Sequence, residues 1–192
     1  MPFDSKENYE EVFNNETFSD CDLSDHSFEY CNFKNCDFSG ANFSGSLFSD
    51  CTFEGCNLSN IQVIECKLQS IKFTECKLVG IDFSRCSKML LSFQFDHCQM
   101  SLCVFTDLKI KETSFLNCEI RETDFVSSDL TGSDFSGTSL SGATFERCDL
   151  SGADFKNASN YQFDPWANKL TGAKFSVPEV LSFLRPFNIV IE

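Results

Sequence analysis

The sequence predicts an all-β solenoid, in which short strands of successive coils stack along one axis. A large apolar residue, most often Phe or Leu, recurs every five residues from Phe13 almost to the C-terminal end. Small residues and Asp or Asn recur with the same period just before it. A period of five fits neither an α-helix nor a single strand, and self-similarity at a fixed period is typical of solenoids. Such repeats bury their apolar residues between neighbouring coils.

Residues 1–12 precede the repeat and are predicted to be an N-terminal lead that caps the first coil. This segment is acidic, and the chain contains no apolar run long enough to cross a bilayer. A secretory signal or a transmembrane segment is therefore not expected. The protein is predicted to be cytoplasmic and to have no membrane partner.

The repeat itself covers residues 13–175 and has a definite motif. Cys, Ala, Ser or Thr stands two positions before the apolar centre, Asp or Asn often stands one before it, and two mostly polar or small residues follow. Examples are CDFSG, ANFSG, SDFSG and ADFKN. In this motif the chain resembles the pentapeptide repeat proteins. The resemblance implies a right-handed quadrilateral parallel β-helix.

If four pentapeptides make one square turn, residues twenty apart stack at the strand spacing of about 4.8 Å. Phe and aliphatic centres alternate in the second half of the repeat, so aromatic rings should line two opposite faces. Two columns of rings are predicted, one before and one after an interruption of the repeat. They are Phe13, Phe33, Phe53 and Phe73, and then Phe95, Phe115, Phe135 and Phe155.

The interruption is a register slip at residues 84–89. The next expected centre, Leu90, stands seven positions after Phe83 instead of five, so the register moves by two. A bulged corner that carries Arg85 and Lys88 would absorb the extra residues. Such a bulge is either a binding feature or a neutral insertion.

The twelve cysteines all occupy the small inward position of the motif. They are interpreted as small apolar residues with reduced thiols. A disulfide framework would require secretion, and a zinc site would require ligands that converge from different positions. No metal and no cofactor are predicted, although a redox or metal role of the cysteines stays open as an alternative.

Residues 176–192 predict a C-terminal cap. Ser176 is expected to N-cap a short helix that Pro186 helps to stop, and a β-prone strip follows at residues 189–191. The resemblance to the Qnr quinolone-resistance proteins and to mycobacterial pentapeptide proteins implies that this helix and strand join two monomers end to end. The alternative is a monomer with a self-packed cap. The predicted dimer interface is Val180, Leu181, Leu184, Phe187, Ile189 and Ile191.

Catalytic chemistry is not indicated anywhere in the chain. No nucleophile with a matching base, no Gly-rich phosphate loop and no metal-binding spacing is visible. The two histidines, His26 and His97, lie on unrelated phases of the repeat. The sequence therefore predicts a protein that is not an enzyme.

The surface charge is the remaining lead to function. The chain has 29 acidic and 15 basic residues, a net charge of −14, with acidic excess in residues 1–29 and 122–154. These acids either belong to a partner-facing surface or form an ordinary acidic exterior, and Asp at this phase also has a local turn role. The candidate partner-facing residues are Asp124, Asp129, Asp134, Asp149 and Asp154.

A rod of about seven coils, roughly 35 Å long, would carry about one net negative charge per 2.5 Å. Duplex DNA carries about one per 1.7 Å. The resemblance to the Qnr and mycobacterial proteins implies a DNA mimic that binds DNA gyrase or topoisomerase IV and modulates or protects it. The alternative is a general protein-interaction scaffold. Direct binding of nucleic acid is not expected, and Lys67, Lys72 and Lys77 form a basic band that mimicry alone does not explain.

Overall fold

The chain winds into a right-handed, four-sided β-helix, as predicted. The computed structural model describes residues 5–190. Every strand pair is parallel, and before the slip partners stand twenty residues apart, as in Phe13 with Phe33 and Phe33 with Phe53. Each strand is only two to four residues long, because a corner follows every pentapeptide.

The strands follow one another in chain order around the four faces. They are β1 (Glu7–Tyr9), β2 (Val12–Asn14), β3 (Ser27–Glu29), β4 (Asn32–Lys34), β5 (Leu47–Ser49), β6 (Thr52–Glu54), β7 (Lys67–Gln69), β8 (Ile71–Thr74), β9 (Lys77–Val79), β10 (Phe93–Asp96), β11 (Gln99–Ser101), β12 (Phe115–Leu116), β13 (Glu119–Arg121), β14 (Asp124–Val126), β15 (Thr144–Glu146), β16 (Asp154–Phe155) and β17 (Lys174–Phe175). Three 3₁₀ helices cover Phe83–Arg85, Pro165–Ala167 and Glu179–Phe187.

Stacked phenylalanine rings form the core. One column runs without a break from Phe13 to Phe175, with 4.7 to 5.2 Å between successive ring centroids. The prediction of two separate columns was therefore wrong, since Phe73 pairs with Phe95 and their rings are 5.1 Å apart. A second column, which includes Phe105 stacked on Phe125, lines the opposite face.

The register slip is absorbed locally, and the coils above and below it stay in contact. Partners across it stand 22 residues apart instead of twenty, as in Phe73 with Phe95. Backbone hydrogen bonds from Ser87 to Cys66 and from Ser92 to Leu68 enclose the extra residues. The expectation that Leu90 is a new centre was wrong: Leu90 is 71% exposed at a corner with φ of 57°. The next residue, Leu91, packs against the core instead.

The corners of the coil explain why Asp or Asn and Gly recur in the motif. The Asp37 carboxylate accepts the backbone N–H of Ser39 at 3.0 Å, which closes the turn. The corner residue Gly40 has φ of 72°, and a Cβ added to it would lie 2.2 Å from Oδ1 of Asp20 in the coil below. Glycine adopts this conformation without strain and leaves room for the Asp20 carboxylate. Other corners carry a side chain in the same left-handed region, as Asn35 does at φ of 51°.

The inward small residues are more than spacers, because they donate hydrogen bonds to buried carbonyl groups. The Sγ atom of Cys51 lies 3.3 Å from the carbonyl oxygen of Phe28, and the Ser133 hydroxyl lies 3.3 Å from that of Ile110. Burial raises the pKa of the Cys103 thiol to about 11, so the thiol keeps its proton. A carbonyl left without a partner in the core would be costly. Cys, Ser and Thr are therefore used as donors at this position.

The coils begin earlier than predicted. Strand β1 pairs with β3, so residues 7–12 form part of the first coil and are not a separate lead. The repeat is hard to see there because Asn8 takes the central position. Its side-chain amide donates to the carbonyl group of Ser27 at 3.3 Å, which lets a polar residue close this end. Residues 1–4 lie outside the described part.

Candidate protein-interaction surfaces

The predicted acidic residues of the C-terminal half stack as expected but do not form one surface. Asp129 pairs with Asp149 on one face, and Asp134 pairs with Asp154 on the next. Asp124 lies in β14 on another face, where it is exposed and pairs with Thr144. The five candidates are therefore spread over three faces.

Most of these stacked carboxylates are neutralised by lysines. Asp129 forms an ion pair with Lys111 at 3.2 Å, and Asp149 forms one with Lys169 at 3.1 Å. Asp154 lies between two lysines, Lys156 at 3.5 Å and Lys174 at 3.4 Å. The lysines offset the repulsion between like charges one coil apart.

The same carboxylates also hold the corners. Backbone N–H groups donate to Asp129, Asp134, Asp149 and Asp154. A hydrogen bond from the Ser151 hydroxyl is the largest influence on Asp149, and with the neighbouring Lys169 it lowers the pKa of that carboxyl against the opposing effect of burial. These acids are thus structural parts of the repeat, whatever else they contact.

The N-terminal coil carries a different kind of acidic surface. Residues 1–29 contain nine acidic residues and one lysine, a net charge of −8 out of −14 for the whole chain. In the described range 5–190, none of the acids in this segment forms an ion pair. Seven of them are exposed: Glu7, Glu10, Glu11, Glu16, Asp20, Asp22 and Asp25. Residues 5–29 alone hold eight acids and one lysine, so half of the net charge of −14 lies at this end.

Two exposed tyrosines lie within this acidic surface. The rings of Tyr9 and Tyr30 meet edge to face with centroids 5.6 Å apart, and they are 60% and 50% exposed. The negative charge of Glu10 raises the pKa of the Tyr9 hydroxyl. Exposed tyrosines are enriched at protein interfaces. We call residues 5–30 the acidic end.

The C-terminal cap closes the other end of the rod through Phe183. Its ring packs against Tyr161, Phe163 and Phe175 at centroid distances of 5.6, 5.1 and 5.3 Å. The sequence missed this residue because an α-helical period was assumed. A three-residue period, as in a 3₁₀ helix, places Val180 and Phe183 on the same side.

The predicted capping of this helix was wrong. The helix begins at Glu179 after Pro178, while the Ser176 hydroxyl accepts the backbone N–H of Asn157 at 3.1 Å. Pro186 lies inside the helix, and Asn188 in the left-handed conformation ends it.

The predicted dimer interface is only partly exposed. Leu184, Phe187 and Ile189 are 36%, 62% and 56% exposed, whereas Val180 and Leu181 are half-buried. No strand forms at residues 189–190, and Ile191 lies outside the described residues. An apolar surface nevertheless faces away from the rod at this end. Trp166, which is 87% exposed, extends it.

The coil geometry, the Asp and Asn side chains that close the turns, and the inward hydrogen-bond donors all repeat every five residues. The sequence model of the family "Pentapeptide repeat region" matches residues 26–94 and 86–155. The chain belongs to the pentapeptide repeat family. No curated protein matches this pentapeptide repeat protein.

Two solved structures share the fold with TM-scores above 0.5, and a third matches with a lower score. Full-length QnrB1, a plasmid-mediated fluoroquinolone resistance protein, is 21% identical and superposes with a TM-score of 0.63 over 95% of this chain and 100% of its own. A trypsin-treated QnrB1 variant is 24% identical, with a TM-score of 0.53 over 97% and 91%. HetL, involved in heterocyst differentiation regulation in the cyanobacterium Nostoc, is 17% identical, with a TM-score of 0.33 over 88% and 84%.

Two kinds of feature are absent from the described part of this pentapeptide repeat protein. Among residues 5–190, no group of three or more His, Cys, Asp or Glu side chains is arranged to hold a metal ion. No helix in that part of the chain is long and apolar enough to span a membrane. Three surfaces are candidates for contact with a partner protein: the acidic end, the apolar C-terminal cap and the band formed by Lys67, Lys72 and Lys77.

Proposed function

We propose that this protein is a DNA-mimicking rod that binds a type II topoisomerase, DNA gyrase or topoisomerase IV. It would act by occupying a DNA-binding groove and so modulate the enzyme or protect it from quinolones or other gyrase poisons. The role requires binding and no catalysis. It also requires a cytoplasmic protein, and that location stays a prediction.

The observation that carries the proposal is the uncompensated charge of the acidic end. Eight acids and one lysine of residues 5–29 lie on little more than one coil, and the coil rise is about 4.8 Å. Even if the charge spreads over two coils, the density is about one charge per 1–2 Å, against about one per 1.7 Å in duplex DNA. A basic groove that binds phosphates should attract such a surface at long range.

The fold similarity to QnrB1 supports the proposal at the level of architecture. QnrB1 is a fluoroquinolone resistance protein with the same β-helix. At 21% identity the similarity supports only the shape of the rod. The proposed partner therefore rests on the charge of the acidic end.

We also propose that the C-terminal cap forms an isologous homodimer. Leu184, Phe187 and Ile189 expose apolar surface, and Phe183 already closes the coil beneath them. Two copies that meet through this face would cover it and double the length of the rod. Val180, Leu181 and Ile191 complete the interface that the sequence predicts.

A general protein-interaction scaffold is the second candidate. The ion pairs at Asp129, Asp149 and Asp154 favour it, since neutralised carboxylates contribute little to DNA mimicry. Under this alternative the exposed Tyr9 and Tyr30 would be the contact residues for a partner that does not bind DNA.

The test of the proposed function is a supercoiling assay with purified DNA gyrase and topoisomerase IV, with and without ciprofloxacin. We expect either inhibition at high protein concentration or rescue of supercoiling in the presence of the drug. A protein that leaves both enzymes unaffected under both conditions would rule the proposal out.

The dimer is tested by light scattering after size-exclusion chromatography. The wild-type protein should elute with twice the chain mass, and the Leu184→Glu/Phe187→Glu variant should elute as a monomer with an unchanged circular dichroism spectrum. Lys34→Glu is a matched control that changes the net charge by the same amount at an exposed position in the N-terminal half, and it should stay dimeric. A monomeric wild-type protein would contradict the proposal.

A further inference from the structure

A band of positive charge covers three of the four faces near the middle of the acidic rod. Lys67, Lys72 and Lys77 are exposed, and each directly precedes a buried centre on one of three successive faces. Residues 67–88 contain five basic and two acidic residues in a chain of net charge −14. We call the three lysines the basic waist.

The lysines of the basic waist differ from those of the C-terminal coils. Lys169 and Lys174 stack one coil above Asp149 and Asp154 and form ion pairs with them. Within residues 5–190 no lysine of the waist forms an ion pair. In the adjacent coils their strand partners are the uncharged residues Leu47, Thr52, Asn57, Gln94 and Gln99.

The waist is not needed for solubility, since the chain is already strongly charged. It would even weaken a mimic of duplex DNA, whose charge is negative throughout. Its position is specific. The coil of β1 lies three coils below that of β7, a distance of about 14 Å along the axis. The charge along the rod is therefore negative at the acidic end and positive at the waist.

The DNA-binding groove of an enzyme that breaks and rejoins DNA has a charge pattern complementary to that of the rod. Most of its length is basic, because it binds phosphates. Its reaction centre, however, holds divalent metal ions, and oxygen ligands such as carboxylates coordinate them. A uniformly acidic rod would place like charges against those carboxylates, which is costly at an interface.

We propose that the basic waist binds the carboxylates that hold the divalent metal ions of the topoisomerase, while the acidic end occupies the neighbouring basic part of the same groove. This inference rests on the proposed function. Because Lys67, Lys72 and Lys77 occupy three adjacent faces, a groove that encloses the rod on three sides contacts all of them. The partner surface is thus rich in carboxylates and lies about 14 Å from a basic one.

The test measures binding of the fluorescently labelled protein to DNA gyrase without DNA. The variant Lys67→Ala/Lys72→Ala/Lys77→Ala is compared with the wild type and with Lys156→Ala/Lys169→Ala/Lys174→Ala, which removes the same formal charge from exposed positions elsewhere. We expect the waist variant to bind at least about tenfold more weakly and the control variant to bind no more weakly than the wild type.

A Mg²⁺ titration at ionic strength matched with KCl gives the sharper readout. Mg²⁺ should weaken binding of the wild type severalfold, because it competes with the lysines for the carboxylates, and should leave the waist variant unchanged.

The possible failures are distinguishable. If the wild type does not bind gyrase at all, the proposed function fails together with this inference. If the wild type binds and the waist variant binds equally well, or if Mg²⁺ acts equally on both, the inference alone is overturned. A loss of affinity that appears only when duplex DNA is bound to the enzyme would assign the lysines to phosphates and would also overturn it.

Discussion

The two ends of the rod are both acidic in sequence and differ in what the fold does with the charge. At the acidic end, Glu7 and Glu10 face solvent without an ion pair to any residue from 5 to 190. In the C-terminal coils, Asp149 and Asp154 close corners and are paired with Lys169 and Lys174. The same residue types therefore serve an external role at one end and an internal one at the other.

The physical reason is the stacking distance. Residues one coil apart are neighbours at about 4.8 Å. Whether an acidic side chain is neutralised therefore depends on the residue stacked above or below it, and not on the net charge of the chain. Lys169 stands above Asp149, whereas Ser27 stands above Glu7. Three predictions test this difference between the ends, from the largest expected effect to the smallest.

Removal of a core ring should destabilise the fold more near the C-terminal cap than at the acidic end. Phe155→Ala removes a fully buried ring between Phe135 and Phe175, and a loss of about 3–5 kcal/mol in the free energy of unfolding is expected. Phe13→Ala removes a ring that is only partly buried and should cost less. Urea unfolding measures both, with Phe155→Leu as a milder control. Equal losses in the free energy of unfolding for Phe155→Ala and Phe13→Ala would contradict this prediction.

The inward donors also differ along the chain, with thiols mostly in the first half and hydroxyls in the second. The Thr138 hydroxyl donates to the carbonyl group of Phe115 and accepts the backbone N–H of Cys118. Thr138→Val keeps the shape and leaves both groups unsatisfied, so a loss of about 1–3 kcal/mol is expected.

The matched control for this prediction is Thr138→Ser, which keeps the hydroxyl. Thermal and urea unfolding of the two variants separate the hydrogen bonds from packing. If Thr138→Ser is destabilised and Thr138→Val is not, the methyl group matters and the hydroxyl does not.

Protonation of the C-terminal aspartates should lower the stability of the fold at acidic pH. The Ser151 hydroxyl and the neighbouring Lys169 lower the folded-state pKa of Asp149. A lowered folded pKa means that the stabilisation is present above the unfolded pKa, about 3.9, and is lost as the pH falls through the folded pKa. Exposed ion pairs of this kind contribute less than about 1 kcal/mol each.

The measurement is the melting temperature between about pH 6 and pH 2.5. Asp129→Asn/Asp149→Asn/Asp154→Asn should reduce its decline at low pH relative to the wild type. Glu7→Gln/Glu10→Gln/Glu11→Gln should decline as the wild type does, because these acids have no ion pairs within the described residues. A steeper decline in the first variant would contradict the assignment.

Much of the fold could be predicted because the repeat is nearly strict. The centres, the inward cysteines and the Asp or Asn corners follow from a single period, and the structure places them accordingly. Where one position broke the pattern, the prediction failed. Asn8 hid the first coil because a polar residue stands at an apolar position, and Leu90 seemed to be a centre because it is apolar.

The candidate surfaces were harder to predict for two reasons. The sequence lists charges but does not reveal which lysine faces which aspartate across a coil, so Asp129, Asp149 and Asp154 looked like free acids. The cap forms a 3₁₀ helix, and its period of three directs Phe183 into the rod. A count of apolar spacings by three as well as by four would have found this residue.

The central claim is that the acidic end stands in for DNA on a topoisomerase. Its most direct test is competition between the labelled protein and a duplex of about 30 base pairs for DNA gyrase. We predict mutual displacement, with affinity at least about tenfold lower for Glu7→Gln/Glu10→Gln/Glu11→Gln and nearly unchanged for Asp129→Asn/Asp149→Asn/Asp154→Asn. Simultaneous binding of protein and duplex, or equal losses in the two variants, would contradict the claim.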